Sequence, residues 1–236
     1  GGFVVYCSRK ENEKRNDMIK AVLFDFDGTI ADTIPAIREG VNHTMRLYGY
    51  PEHSYAEILV FINHGARELI RQAMPADAAE NPAQIDRVLA DYDAQYRAVY
   101  RQTREAYAGV PELIDRLHRS GYRIGVLSNK QDEFVKQLSR QVLLPGSYDS
   151  AHGVAPGQPP KPDPFIPALI ARELGVPLAE CAMVGDSDVD IATAMNAGMT
   201  HIGVDWGYRD RSFLLAHGAT RIAHTPDEVE RFVKEG

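Results

Sequence analysis

Downstream of residue 107 the sequence alternates between short apolar runs and amphipathic stretches, and this alternation limits the fold more than any other feature. Pro111 to Ser120 reads as a helix, with proline at its start and Gly121 just past its end. Tyr122 to Leu127 follows as a strand, and Phe134, Val135 and Leu138 mark the next helix. Ala155 to Pro164 is a proline-rich loop, and Asp163-Pro164 opens a helix that Gly175 ends. Cys181 to Val184 is a strand, Asp188 to Asn196 a helix, and His201 to Val204 and Arg221 to Ala223 are two more short strands. Thr225-Pro226-Asp227-Glu228 has the spacing of a capping box opening the last helix. Such alternation predicts a parallel sheet covered by helices.

Upstream, the apolar run from Lys20 to Phe26 is stopped by Asp27, Gly28 and Thr29 and reads as the first buried strand. Residues 33–106 then look entirely helical. Ile34, Ile37, Val41, Met45 and Tyr48 recur at helical spacing. Ile58, Ile62, Leu69, Ile70 and Met74 form a second region, broken near Asn63-His64-Gly65, and Ile85, Val88, Leu89, Tyr92, Tyr96 and Val99 form a third. The expected organisation is a Rossmann-like α/β core from residues 18–32 and 107–236, helices on both faces of its parallel sheet, with an α-helical cap from residues 33–106 inserted after the first strand. Residues 1–17 read as a leader or disordered extension, with Met18 as the natural start: an apolar beginning precedes a charged stretch, the reverse of a signal peptide.

Composition sets bounds on function. With 236 residues, 44% of them hydrophobic, the chain can bury one substantial core and a satellite domain. The net charge of −7 and the absence of a basic block argue against a nucleic-acid surface. No apolar run approaches the length that spans a bilayer, so no membrane partner is expected. Cys7 and Cys181 make neither a C-x-x-C pair nor a disulfide framework, as expected of reduced thiols in a cytoplasmic protein. The eight histidines form no cluster with zinc-ligand spacing, and there is no glycine-rich nucleotide-binding fingerprint.

Four stretches carry the chemistry, each at a strand end. Asp25-Phe26-Asp27-Gly28-Thr29 follows the first strand. Carboxylates at i and i+2 of an extended segment point the same way, so one can attack phosphorus while the other handles protons; an isolated Asp-x-Asp would more often be a turn. Ser128-Asn129 suits a phosphoryl oxygen, and equally suits a plain helix N-cap. Lys161 sits in the restricted run Pro159-Pro160-Lys161-Pro162-Asp163-Pro164. Gly185-Asp186-Ser187-Asp188-Val189-Asp190 offers oxygen ligands of the kind that hard divalent cations prefer. Ser187 and Asp190 are also spaced as a capping box, which leaves Asp186 unexplained.

In this order and at these positions the four stretches resemble the motifs of the haloacid dehalogenase superfamily of phosphohydrolases. The resemblance covers essentially everything after Met18, and the helical insertion looks like that family's cap. The tail Gly203-Val204-Asp205-Trp206-Gly207-Tyr208, with Gly218-Ala219, is similar to the phosphoglycolate phosphatase subgroup. The resemblance implies a Mg²⁺-dependent phosphatase acting on a small phosphorylated metabolite. Asp25 would be the nucleophile and Asp27 the general acid and base, with Ser128 and Lys161 completing the catalytic set. The Asp25 carboxylate, the Asp27 backbone carbonyl and Asp186 would bind Mg²⁺, supported by Asp190 through waters or Lys161. Substrate is expected to touch Gly28, Thr29 and Asn129 and, from the cap, Asn63, His64 and Arg67; Arg67 could equally lie in solvent.

Other activities on the same core are a pyrophosphatase and a phosphosugar mutase. Asp27 argues against a dehalogenase, and the absence of any lysine from Thr33 to Ala106 argues against a phosphonatase that uses a cap lysine. A non-enzymatic binding module is the alternative of a different class.

Overall fold

The computed structural model describes residues 18–103 and 105–236; the expected leader, Cys7 included, lies outside the described residues. Six strands form one parallel sheet: β1 (Ala21–Asp25), β2 (Arg123–Gln131), β3 (Ser150–Val154), β4 (Cys181–Gly185), β5 (Thr200–Val204) and β6 (Ile222–Ala223). Their order is β3-β2-β1-β4-β5-β6. The chain therefore leaves β1 toward one side and later resumes at β4 on its other side. The carboxyl end of β1 lies at this switch point, where open α/β sheets bind their ligands.

The central strands β1 and β4 read as near-continuous apolar runs because both faces of the sheet are covered. Val22 and Phe24 of β1 face one cluster, with Ile124, Val126, Ala182 and Val184. That cluster includes side chains of α5 (Val110–Arg119), α6 (Asp132–Val142) and α10 (Pro226–Glu235). Ala21 and Leu23 face the other cluster, against α7 (Phe165–Leu174) and α8 (Asp188–Ala197). A two-residue period thus sends neighbouring side chains to opposite layers. A short helix, α9 (Arg211–Ala216), precedes β6.

Between β1 and α5 lie α1 (Ile34–Leu47), α2 (Tyr55–Phe61), α3 (Ala66–Ala73) and α4 (Pro82–Val99). The expected stripes are the buried ones: Ile34, Ile37, Val41 and Met45 on α1, and Ile85, Val88, Tyr92 and Tyr96 on α4. These belong to the same apolar cluster as the first sheet face, so the helical block and the sheet share one continuous core. At about 1.5–3 kcal/mol for each large side chain fully buried, this shared cluster is a major attachment of the block to the sheet. The break at Asn63-His64-Gly65 separates α2 from α3, and Asn63 itself takes a left-handed φ of 85°.

Three local expectations change. The second strand does not stop at Leu127 but runs to Gln131, with an irregular register against β3, so Ser128 and Asn129 lie on the strand and not at a helix start. Gln131 is the N-cap of α6, which removes the plain-cap reading of Ser128-Asn129. β3 has no counterpart in the sequence reading: Ser150, His152 and Gly153 dilute the apolar signal, and the strand needs only one paired neighbour. At Thr225 only half of the capping box forms, because the Glu228 carboxylate accepts from the His224 N–H at 2.6 Å while the Thr225 hydroxyl accepts from the Glu228 N–H. Cys181 is buried and free, and among the described residues no helix is long and apolar enough to cross a membrane.

Candidate active site

Asp25 ends β1, Asp186 follows β4 and Asp190 lies in the first turn of α8, and oxygens from all three carboxylates lie within 4.8 Å of one another. Lys161 reaches into this group from the proline-rich loop, its Nζ donating to Asp25 Oδ1 at 2.7 Å and to Asp190 Oδ1 at 2.6 Å. None of the four is more than 5% exposed, so solvent does little to moderate their charges. Fully ionised, three carboxylates against one ammonium would leave two negative charges in a buried space. Burial first, and Asp190 second, hold the Asp25 carboxyl well above the usual carboxylate range, against the pull of Lys161. Burial and Asp190 likewise push Asp186 up to about 7. For Lys161 burial works against the charge, but Asp190 and Asp25 outweigh it and raise the pKa. A divalent cation is the species that such a cluster accommodates best, and the all-oxygen donor set fits a hard one.

Asp190 serves twice. Its Oδ1 holds Lys161, while its Oδ2 accepts from the Ser187 N–H at 3.1 Å and hydroxyl at 2.6 Å. The capping box is real, and it fixes the carboxylate that fixes the lysine.

Asp186 is held by the Thr29 hydroxyl at 3.2 Å and by the Tyr208 N–H at 2.6 Å. Backbone must pass close to it: a Cβ at Gly28, where φ is +85°, would stand 2.3 Å from Asp186 Oδ2, and one at Gly207 would stand 2.5 Å from the same atom. Only glycine tolerates both the conformation and the approach at Gly28. Trp206 and Tyr208 enter the site from the loop after β5: the indole N–H donates to the Thr29 carbonyl at 3.1 Å, and the Tyr208 hydroxyl accepts from the Thr33 N–H at 2.9 Å. This loop lies outside the set of site residues expected from sequence, although Trp206 and Tyr208 flank Gly207 shortly after a strand, which is a visible signal.

Asp27 is half-buried and collects donors. The Ser128 hydroxyl donates to its Oδ2 at 3.1 Å, the Thr33 hydroxyl to its Oδ1, and Lys130 Nζ lies 3.2 Å from Oδ1. Lys130 also donates to the Tyr96 hydroxyl on α4 at 3.0 Å. Burial opposes its charge, yet Asp27 and Tyr96 more than offset this and raise its pKa. Sequence reasoning missed Lys130, since a lysine after Ser-Asn looks like any solvated one.

Asn129 ties the regions together. Its amide donates to the Asn63 carbonyl at 2.8 Å and to the Lys161 carbonyl at 2.9 Å, and its oxygen accepts from the Lys161 N–H at 2.6 Å. The elements enclose a cavity of about 60 Å³ lined by Asp25, Asp27, Ser128, Asn129, Lys130 and Lys161 from the sheet side, and by Ile37, Asn63, Leu69, Tyr92 and Tyr96 from the helical block. His64 is exposed and is not among the lining residues. Arg67 stands outside the lining as well: its Nε pairs with Asp86 Oδ1 at 3.0 Å on the surface, where the long side chain stays solvated.

Fold and site together define a hydrolase of the haloacid dehalogenase-like kind. The sequence pattern of the haloacid dehalogenase-like hydrolases matches residues 22–204, and the chain belongs to that family. It is 28% identical to a phosphoglycolate phosphatase of Vibrio vulnificus (strain CMCP6) over 215 residues, covering 89% of this chain and 91% of the relative. A phosphoglycolate phosphatase of Mesorhizobium japonicum is 29% identical over 218 residues, covering 90% of this chain and 96% of the relative. Among solved structures, a protein of Lactobacillus delbrueckii subsp. bulgaricus, provisionally described as a phosphoglycolate phosphatase, superposes with a TM-score of 0.83 at 30% identity, covering 93% of this chain and all (100%) of the other. CbbY from Rhodobacter sphaeroides, solved with phosphate, shares the fold at a TM-score of 0.74 and 24% identity, covering 93% of this chain and 100% of that one.

Proposed function

We propose that this hydrolase is a Mg²⁺-dependent phosphatase that cleaves a small phosphate monoester of the phosphoglycolate type through an aspartyl-phosphate on Asp25. The observation that carries the reading is the convergence of Asp25, Asp186 and Asp190 around Lys161 at the switch point of the sheet. The relatives named as phosphoglycolate phosphatases, matched over nearly their full length, support the substrate class, and the small cavity suits a short leaving group.

In this reading the Asp25 carboxylate attacks phosphorus, forming an O–P bond as the bond to the leaving oxygen breaks. Asp27 gives its proton to that oxygen and then takes one from the water that hydrolyses the aspartyl-phosphate, which regenerates Asp25. The three donors around Asp27 hold its carboxyl in one orientation for both transfers. Lys161 offers its remaining N–H to a phosphoryl oxygen, and Ser128 contributes its hydroxyl. Mg²⁺, held by the Asp25 carboxylate, the Asp27 carbonyl and Asp186, would supply the positive charge that lets a phosphate dianion approach these carboxylates. Asp190 supports the set by fixing Lys161. Residues 33–106 act as the cap that excludes water, over a core of residues 18–32 and 107–236.

A phosphate-release screen over small esters, in Mg²⁺ and in EDTA, tests this. Release from phosphoglycolate that stops in EDTA and returns with Mg²⁺ is expected. Either no release from any ester, or release indifferent to EDTA, would overturn the reading.

A further inference from the structure

Lys130 is a second ammonium in the cavity, and its surroundings differ from those of Lys161. Lys161 is clamped between two carboxylates, whereas Lys130 meets one carboxylate, Asp27, and a neutral phenol, Tyr96. An ammonium has three N–H donors, and those two contacts leave one uncommitted. Asp27 already receives the Thr33 and Ser128 hydroxyls, so Lys130 is not needed to satisfy it. Burying an ammonium costs several kcal/mol, which a structural role would avoid with an apolar residue of similar size.

A second donor in the same cavity is also uncommitted. Asn63 lines it from the helical block, and its buried Nδ2 has no hydrogen-bond partner among the described residues. The left-handed backbone of Asn63 is fixed by the bond from Asn129 to its carbonyl, so its side chain is presented from a pinned position. Two unspent donors, one of them cationic, together call for an anionic acceptor. Lys130 touches the residue that would protonate the leaving oxygen, so such an anion belongs on the leaving group, close to the ester oxygen.

We propose that Lys130, with Asn63, recognises a negative charge on the leaving alcohol, and that this pair, in place of the expected Arg67, selects esters with a carboxylate on the carbon next to the ester oxygen. The inference deepens the phosphatase reading and rests on it.

The test compares phosphoglycolate with ethyl phosphate, which has the same short chain and no carboxylate. Lys130→Met is expected to lower the ratio of kcat/KM for phosphoglycolate over ethyl phosphate by roughly 10- to 100-fold, the loss of one charge-assisted hydrogen bond, mostly through KM. Whatever Asp27 loses is shared by both esters and cancels in the ratio. Lys130→Arg should restore part of the preference, and Asn63→Ala should lower it by about 5-fold. Calorimetry in the Asp25→Asn background reads binding without turnover. There the added Lys130→Met should weaken phosphoglycolate and leave ethyl phosphate nearly unchanged, and Lys130→Gln serves if the methionine variant unfolds. An unchanged ratio, or equal weakening of both ligands, overturns the inference and leaves the phosphatase reading standing. A wild-type protein that releases phosphate from other small esters but from neither of these overturns the inference alone, and one that releases it from no small ester overturns both.

Discussion

The sheet edge and the helical block use polar residues in opposite ways. At the carboxyl ends of β1 and β4, in the first turn of α8 and on the loop of Lys161, charged groups are buried and bonded to one another; Asp190 is wholly inaccessible. In α1 to α4 the cavity face is mainly apolar or aromatic, while Arg67 is half exposed and paired with an exposed Asp86. Buried charge persists only where other charges and fixed donors compensate it, and parallel strands supply such fixed positions. The contrast implies that chemistry resides at the sheet edge and that the block contributes walls and a few well-placed donors.

The sharpest test of that division is Asp25→Asn. Removing the proposed attacking oxyanion should lower phosphate release by at least about 10⁴-fold with little change in thermal unfolding; activity within 10-fold of wild type would move the chemistry elsewhere. Next is Asn129→Ala, which cuts the link between the two regions. It strands the buried Lys161 N–H and two carbonyls, so a destabilisation of about 2–4 kcal/mol and a large fall in activity are expected from chemical denaturation and turnover. A change below about 0.5 kcal/mol would show that the regions are held together without it.

The third effect is electrostatic. A carboxyl raised to about 7 keeps its proton longer in the folded than in the unfolded state, so metal-free stability from Asp186 falls as pH rises from about 4 to about 7, and buried Asp25 adds in the same direction. The melting temperature of EDTA-treated protein should therefore drop between pH 5 and pH 8. Mg²⁺ should raise it by several degrees at pH 8 and by less at pH 5, where protons compete; a larger rise at pH 5 would contradict the assignment of the cluster. The smallest effect should be Arg67→Ala, an exposed pair worth under about 1 kcal/mol, with kcat/KM within about 2-fold of wild type. A loss beyond 10-fold would return Arg67 to the cavity and blur the comparison.

The sequence read well where local pattern and tertiary role coincide. The apolar run before Asp25 is a buried strand because both faces of the sheet are covered, and the Ser187–Asp190 spacing is a cap wherever α8 sits. It read poorly where a polar residue's role depends on distant neighbours. Ser128 and Asn129 read equally as a helix N-cap, yet with Lys130 they continue β2, and their side chains meet Asp27, Asn63, Lys161 and Tyr96. Tyr208 joins the site through its backbone N–H, which no residue type announces.

The sequence by itself determined the alternating α/β core, the helical insertion and the aspartates at strand ends, because periodicity and strand termination are local properties of the chain. Only the tertiary structure decided which polar groups share a cavity: that Lys130 belongs to it, that Arg67 does not, and that Asp190 holds Lys161. Those outcomes depend on desolvation and on pairing between segments far apart in the chain, and both are set by packing.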